Sequence, residues 1–382
     1  MTAIDGAGVE GPRVVLDARW WHINGTGAFT RALVRGLAEV HPSGRWIVWG
    51  PPAAGELAWP GCEHRCSVAD PASVLGQRQA FRVPHGDLVI HPHQIRPVHR
   101  RPAASCVLDL IQLEHAGIGT RRLREQWLQT TIEHAAVLFA IAPSVRDRLV
   151  TEHGVDPSGI HVLHLPVDAS AAARVRAGRA AVPMADRTTR RPLVAVGRAA
   201  PHKNHGRLVE AFANSQFAAM GGQLHLIGLD ADRLPKGGTG LHPGVRVLGE
   251  VSQVMLDDAL AGALALVQPS LAEGYGLPVA EALAAGVPVV SSPIPAVTEM
   301  GPAGVPVFDP RSVSSMTDAI DKTVQLVDQG RYWEQVDQEA WLRRQPTDVD
   351  LARQVLAGIV DVVGDLLPHD GAPAAGPDRL AS

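Results

Sequence analysis

Cysteine is scarce in this chain of 382 residues, with Cys62, Cys66 and Cys106 its only examples. Three thiols spread over that length make no disulfide framework, and Cys62 with Cys66 lacks the further ligands at matching spacing that a zinc site needs. They read as free thiols, the first two in a loop, in a reducing setting. No basic block is present and the formal net charge is -4, so a nucleic-acid backbone is not the expected partner. Long hydrophobic runs are missing too. The longest, Leu260 to Val267, is too short to cross a bilayer, which leaves peripheral membrane contact open. The first residues show no positive region followed by an apolar run, so the expected location is the cytoplasm. No short-period repeat occurs, which excludes a solenoid.

What is present is an ordinary globular composition: 46% apolar and 19% charged residues, over a length that suits two domains. Abundant Ala, Arg, Gly and Pro resemble the usage of a high-GC bacterium. Short β-branched runs alternate with longer helical stretches, predicting parallel sheets covered by helices. The first series has strands at Arg13 to Asp17, Trp46 to Trp49, Leu88 to His91, Ser105 to Leu108 and Val137 to Ala142. A loop with Gly25-Thr26-Gly27 follows the first strand, and Leu33, Leu37 and Val40 carry helical spacing. A second series opens at Leu193 to Val196 and continues through Leu224 to Ile227, Val245 to Leu248, Ala263 to Gln268 and Val287 to Ser291. The fold class is therefore α/β: two doubly wound, Rossmann-like domains facing each other across a cleft. The expected boundaries are 13–170 for the N-terminal domain, 171–191 for a linker and 192–345 for the C-terminal domain. A helix over 346–367 is expected to pack back toward the first domain, with flexible tails at 1–12 and 368–382.

The most informative stretch is Ser270-Leu-Ala-Glu273-Gly-Tyr-Gly276-Leu-Pro278-Val-Ala-Glu281, leading to Gly286 and an apolar strand. Gly274 and Gly276 permit a tight turn with close backbone approach to a ligand. Pro278 suits the start of a helix and Gly286 its end. Glu273 then lies in a loop at a helix N-terminus, and Glu281 about one turn inside. Free N–H groups and a positive dipole end make such a terminus a diphosphate site. Carboxylates beside it would repel phosphate and more readily accept hydrogen bonds from sugar and ribose hydroxyls. Spacing alone equally allows a helix-dipole partner and a surface charge.

This stretch resembles the Glu-x7-Glu motif of glycosyltransferase family 4. The likeness extends to Gly197-Arg198-Ala-Ala-Pro201-His-Lys203-Asn204 before a helix, to Gly228, to Gly249-Glu-Val251 and to Pro269-Ser270, in the family's order over about 193–310. The resemblance implies the GT-B architecture and a retaining, metal-independent transfer of a hexose from a nucleotide diphosphate sugar, without a cofactor. It implies that Arg198 and Lys203 neutralise the diphosphate and that Glu273 binds hydroxyls of the transferred sugar. Gly274, Tyr275, Gly276 and Leu277 would meet sugar and phosphate, Glu281 the ribose, and Val251 the base. Gly27, in a stretch that resembles the family's glycine loop, would offer its N–H to phosphate. The acceptor stays open among carbohydrates, lipid-linked sugars and natural products.

One departure stands out. The family usually has His before Asp109, and this chain has Leu108. Asp109 keeps its place for an acceptor hydroxyl, and His115 is a nearby substitute or a surface residue. Leu108 motivates an alternative, a catalytically impaired donor-binding subunit or scaffold. An epimerase or hydrolase on the same architecture is a third reading. Asp230-Ala-Asp232 and His91-Pro-His93 read as loops rather than metal sites.

Overall fold

The computed structural model describes residues 12–21, 24–67, 83–94, 101–114, 118–181, 191–230, 232 and 241–363. Contacts divide the chain into two compact units. One takes residues up to 108, 118–166 and those from 346 onward, and the other takes 109–117 and 167–345.

The first unit holds β1 (Arg13–Asp17), β2 (Arg45–Gly50), β3 (Glu63–Cys66), β4 (Leu88–His91), β5 (Ala103–Val107), β6 (Ala135–Ala140) and β7 (Ile160–Val162). They form one seven-stranded sheet in the order β3-β2-β1-β4-β5-β6-β7, parallel throughout. The central strands are apolar on both faces, as a sheet covered on both sides requires: Val14, Val15, Leu16, Leu88, Val89 and Ile90 are all buried. Helix α1 (Asn24–Val40) buries Phe29, Leu33, Val34 and Leu37 at helical spacing. The C-terminal helix, Asp348–Val363, returns to this unit and packs on α1. Arg35 Nε lies 2.6 Å from Asp348 Oδ2 across that contact.

The second unit holds β8 (Leu193–Val196), β9 (Leu224–Ile227), β10 (Val245–Gly249), β11 (Ala265–Gln268) and β12 (Val289–Ser291). All pairs are parallel and the order is β10-β9-β8-β11-β12. Its helices include α2 (Ala169–Ala181), α3 (His205–Ala213), α4 (Gln253–Gly262), α5 (Leu277–Ala284) and α6 (Val313–Asp328). Leu208 and Phe212 of α3 and Met316 and Ile320 of α6 pack with Leu193, Leu224, Leu226 and Val267 of the sheet in one buried cluster. The edge strand β12 is pinned by Tyr332, whose hydroxyl donates to Val289 O at 2.7 Å and accepts from Val289 N at 2.8 Å.

Three sequence expectations are corrected. Gly25-Thr26-Gly27 lies in the first turn of α1 rather than in a loop. Cys66 and the residues before it form edge strand β3, too short and polar to read as a strand from the sequence. The opening of the expected linker is helix α2, which packs on α4 and α5. Ala and Arg favour helix, and Arg174 Nε reaches Asp257 Oδ2 at 2.7 Å while Arg179 donates to Ala263 O at 2.6 Å. Residues 182–190, and both expected tails but for Pro12, lie outside the described residues. Among the described residues no helix is long and apolar enough to cross a membrane.

Candidate functional site

In the second unit the strand order reverses at β8 and β11, which are neighbours although β9 and β10 intervene in sequence. Loops leaving the carboxyl ends of strands flanking such a reversal diverge and leave room for a ligand. Gly197, Arg198 and Lys203 follow β8, and Ser270, Glu273 and Gly276 follow β11. The two loops are tied together: Leu271 N donates to His202 O at 2.7 Å. Asn204 supplies a second tie, its Nδ2 donating to Pro269 O at 3.1 Å and Pro310 O at 2.7 Å. Asn204 has φ 57°, a left-handed backbone that Asn tolerates better than most residues, and it starts α3.

Within this frame Lys203 and Glu273 meet. Lys203 Nζ lies 2.6 Å from Glu273 Oε1, and both side chains are largely out of solvent at 17% and 10% exposure. The same carboxylate oxygen accepts from Ser270 Oγ at 2.6 Å and from Gln268 Nε2 at 2.9 Å. A compact cation and a fixed carboxylate therefore stand side by side, a pairing able to meet an anionic group and a hydroxyl of one ligand. Arg198, one loop turn earlier, is exposed.

The backbone after Glu273 is shaped by glycine. Gly276 has φ 101° and caps α5, and a Cβ there would come within 2.6 Å of Ile294 Cδ1. Only glycine meets both conditions. Ala296 N donates to Tyr275 O at 2.8 Å, holding the turn against the loop after β12. Gly274 and Tyr275 are buried and Leu277 is half-buried. Burial pushes the Tyr275 hydroxyl up to about 12, so it stays protonated. Glu281 sits half-buried in the second turn of α5. Val251, half-buried, follows β10. Behind Lys203, His205 is buried; desolvation and the neighbouring Lys203 and His202 charges hold its imidazole down at about 4, against the opposing pull of Glu273.

The first unit has its own reversal, between β1 and β4. Asp17, at the end of β1, is fully buried and bonded to Arg19 at 2.8 Å through each oxygen, and lies 3.2 Å from His91 Nδ1. Burial raises the pKa of its carboxyl, but the Arg19 charge and the hydrogen bonds from Arg19 and His91 outweigh it and hold the group below the usual carboxylate range. Arg19 also lies over the Trp49 ring, 4.1 Å from its centroid. Trp20 and His93 stack with ring centroids 4.6 Å apart. Gly27 is buried in α1, and a Cβ there would come within 2.3 Å of Trp21 O. Leu108 is buried, and its N–H donates to Gln94 Oε1 at 3.1 Å. Asp109, which belongs to the second unit, accepts at Oδ1 from Ile111 N at 3.1 Å. His115 lies outside the described residues. Among the described residues there is no group of three or more His, Cys, Asp or Glu that would hold a metal ion.

The sequence reading missed Gln268, Ser270 as a partner of Glu273, the Asn204 tie and the Asp17–Arg19–His91 cluster. A polar residue ending an otherwise apolar buried strand was the available signal for Gln268.

Residues 190–325 match the family model Glycosyl transferases group 1. An O-antigen chain mannosyltransferase B of Escherichia coli is 40% identical over 82 residues, a match spanning 21% of this chain and 21% of that protein. Among solved structures, HepE of Anabaena in complex with UDP and glucose superposes with a TM-score of 0.68 at 15% identity, covering 92% of this chain and 100% of HepE. Sucrose-phosphate synthase of Thermosynechococcus elongatus gives a TM-score of 0.65 at 17% identity, covering 92% and 99%. The chain has the GT-B fold, two parallel-sheet α/β units, and the group 1 glycosyl transferase match falls in the second of them.

Proposed function

We propose that this chain is a retaining glycosyltransferase of family 4 type, which moves a hexose from a nucleotide diphosphate sugar to an acceptor hydroxyl. The observation that carries the reading is the Lys203–Glu273 pair at the strand reversal of the second unit, inside the stretch that matches the family model. In the reaction the bond between the anomeric carbon and the diphosphate oxygen breaks. The acceptor oxygen bonds to that carbon on the same face, its proton passes to the departing phosphate, and a nucleoside diphosphate leaves. Negative charge grows on the leaving oxygen. Lys203, Arg198 and the α5 N-terminus, with the Gly274–Leu277 backbone, stabilise it there. These cations take the role a metal plays elsewhere, so no metal or other cofactor is needed. Glu273 accepts from a hydroxyl of the transferred sugar, Glu281 from the ribose, and Val251 borders the base.

Gly27 and Asp109 belong to the phosphate and acceptor sides of the same proposal. The UDP and glucose held by HepE, and the O-antigen chain mannosyltransferase among the similar proteins, support a nucleotide diphosphate hexose as donor and a carbohydrate or lipid-linked acceptor.

The test supplies the full chain with UDP-glucose or GDP-mannose and a panel of oligosaccharide acceptors, following free nucleoside diphosphate. Transfer is expected to survive a chelator, to give a product of unchanged anomeric configuration by NMR, and to slow about a hundredfold in Lys203→Ala. An unchanged rate in that variant ends the charge-stabilising role. Leu108, buried where an imidazole is usual in the family, favours a second reading, a donor-binding subunit without turnover. That reading predicts donor binding with no consumption on any acceptor.

A further inference from the structure

Gln268 ends β11 with its side chain turned into a closed polar cluster. The residue is 1% exposed. Its Nε2 donates to Ser270 Oγ at 2.8 Å and to Glu273 Oε1 at 2.9 Å, and Ser270 Oγ donates to the same Glu273 oxygen at 2.6 Å. The backbone of this corner is held from the residue after β12: Ser292 Oγ donates to Ser270 O at 2.6 Å and Ser292 N to Gln268 O at 2.9 Å. The amide has one workable orientation. A carboxylate only accepts hydrogen bonds, so the amide nitrogen must face Glu273. That choice leaves Gln268 Oε1 buried without a partner among the described residues. Folds rarely leave a buried oxygen unpaired, so the orientation of this amide calls for a reason.

Lys203 completes the arrangement, so Glu273 Oε1 receives three donors at 2.6–2.9 Å. Among the described residues Glu273 Oε2 receives none.

We infer that Gln268 is a positioning residue which, with Ser270, saturates Oε1 of Glu273 and presents Oε2 as the single acceptor for a hydroxyl of the bound hexose. Gln268 does not touch the ligand. It decides which carboxylate oxygen faces it, and so controls recognition of the sugar rather than of the nucleotide. This rests on the proposed donor site.

The experiment measures, by titration calorimetry on the full chain, the affinity for UDP-glucose over UDP and for GDP-mannose over GDP. The ratio for each pair isolates the contribution of the sugar. In Gln268→Met, which keeps the volume and removes both donors, the ratio is expected to fall about tenfold, as for loss of a charge-assisted hydrogen bond, with affinity for the nucleoside diphosphate unchanged. Gln268→Glu supplies a donor only when protonated. Its ratio, referred to wild type at the same pH, is expected to recover at pH ~5 and to fall at pH ~8. Ser270→Ala, a milder change, tests the same oxygen if the Met variant does not fold. An unchanged ratio overturns the inference, and so does an equal loss for both members of a pair, which marks plain structural damage. Failure of wild type to bind any of the four ligands instead sinks the donor-site reading beneath it.

Discussion

His205 shows how a single side chain couples the site to the stability of the unit around it. It is 6% exposed, and its imidazole is held down to about 4 from an ordinary value of 6.5. Between those values the unfolded chain binds a proton that the folded chain does not. The stability this residue contributes is therefore complete above pH ~6.5 and is lost as pH falls through ~4. The loss amounts to at most about 3 kcal/mol over that interval. Urea unfolding from pH 7 to pH 4 is expected to show this slope, and His205→Phe, which cannot titrate, to flatten it. Equal slopes in the two proteins would mean that the imidazole already takes its proton in the folded state. The residue scale is also where sequence reading was most successful for the second unit. Glu273 was singled out because a glycine turn and a helix start leave local marks, and Lys203 through the family resemblance of the stretch around it. Asn204 was not, because its partners lie far along the chain: it bonds Pro310, 106 residues away. Gln268 was not, because the turn after β11 is what folds Ser270 and Glu273, two and five residues on, back onto its amide.

Among the elements, the contact between α1 and the C-terminal helix offers a direct test. A Cβ at Gly36 would come within 1.9 Å of Asp348 O and 2.9 Å of Ala352 Cβ. Gly36→Ala raises helix propensity by about 1 kcal/mol, but the obstacle is backbone and cannot rotate away. The C-terminal helix must shift, and the Arg35–Asp348 ion pair at 2.6 Å goes with it. Net destabilisation of about 1–3 kcal/mol is expected, the range for overpacking, with faster proteolytic cutting within 346–363. A variant that melts as wild type does, with this helix equally protected, would show that the interface yields easily. Edge strands β3 and β7 are the elements the sequence concealed. With three or four residues and partly exposed patterns, they lack the apolar runs that marked the central strands.

At the scale of the whole molecule, two units with separate cores carry unequal parts of the proposed chemistry. The residues proposed for the donor diphosphate and sugar lie mostly in the second, so a nucleoside diphosphate should stabilise that unit first. At a hundred times its Kd it adds about 2.7 kcal/mol. Hydrogen exchange on the full chain with UDP or GDP is expected to slow in 197–204 and 270–281, while β1, β4 and β5 exchange as before. Slowing confined to the first unit would move the nucleotide site there.

From the sequence alone came the alternation of strands and helices, the two series of strands and the motif residues, since periodicity, capping and turn chemistry act over a few neighbouring positions. The order of strands did not come from it. Placing β8 beside β11 brings Lys203 to Glu273 across 70 residues, and returning the C-terminal helix to the first unit joins positions 313 residues apart. Such pairings depend on which buried faces fit together, and no local pattern encodes that.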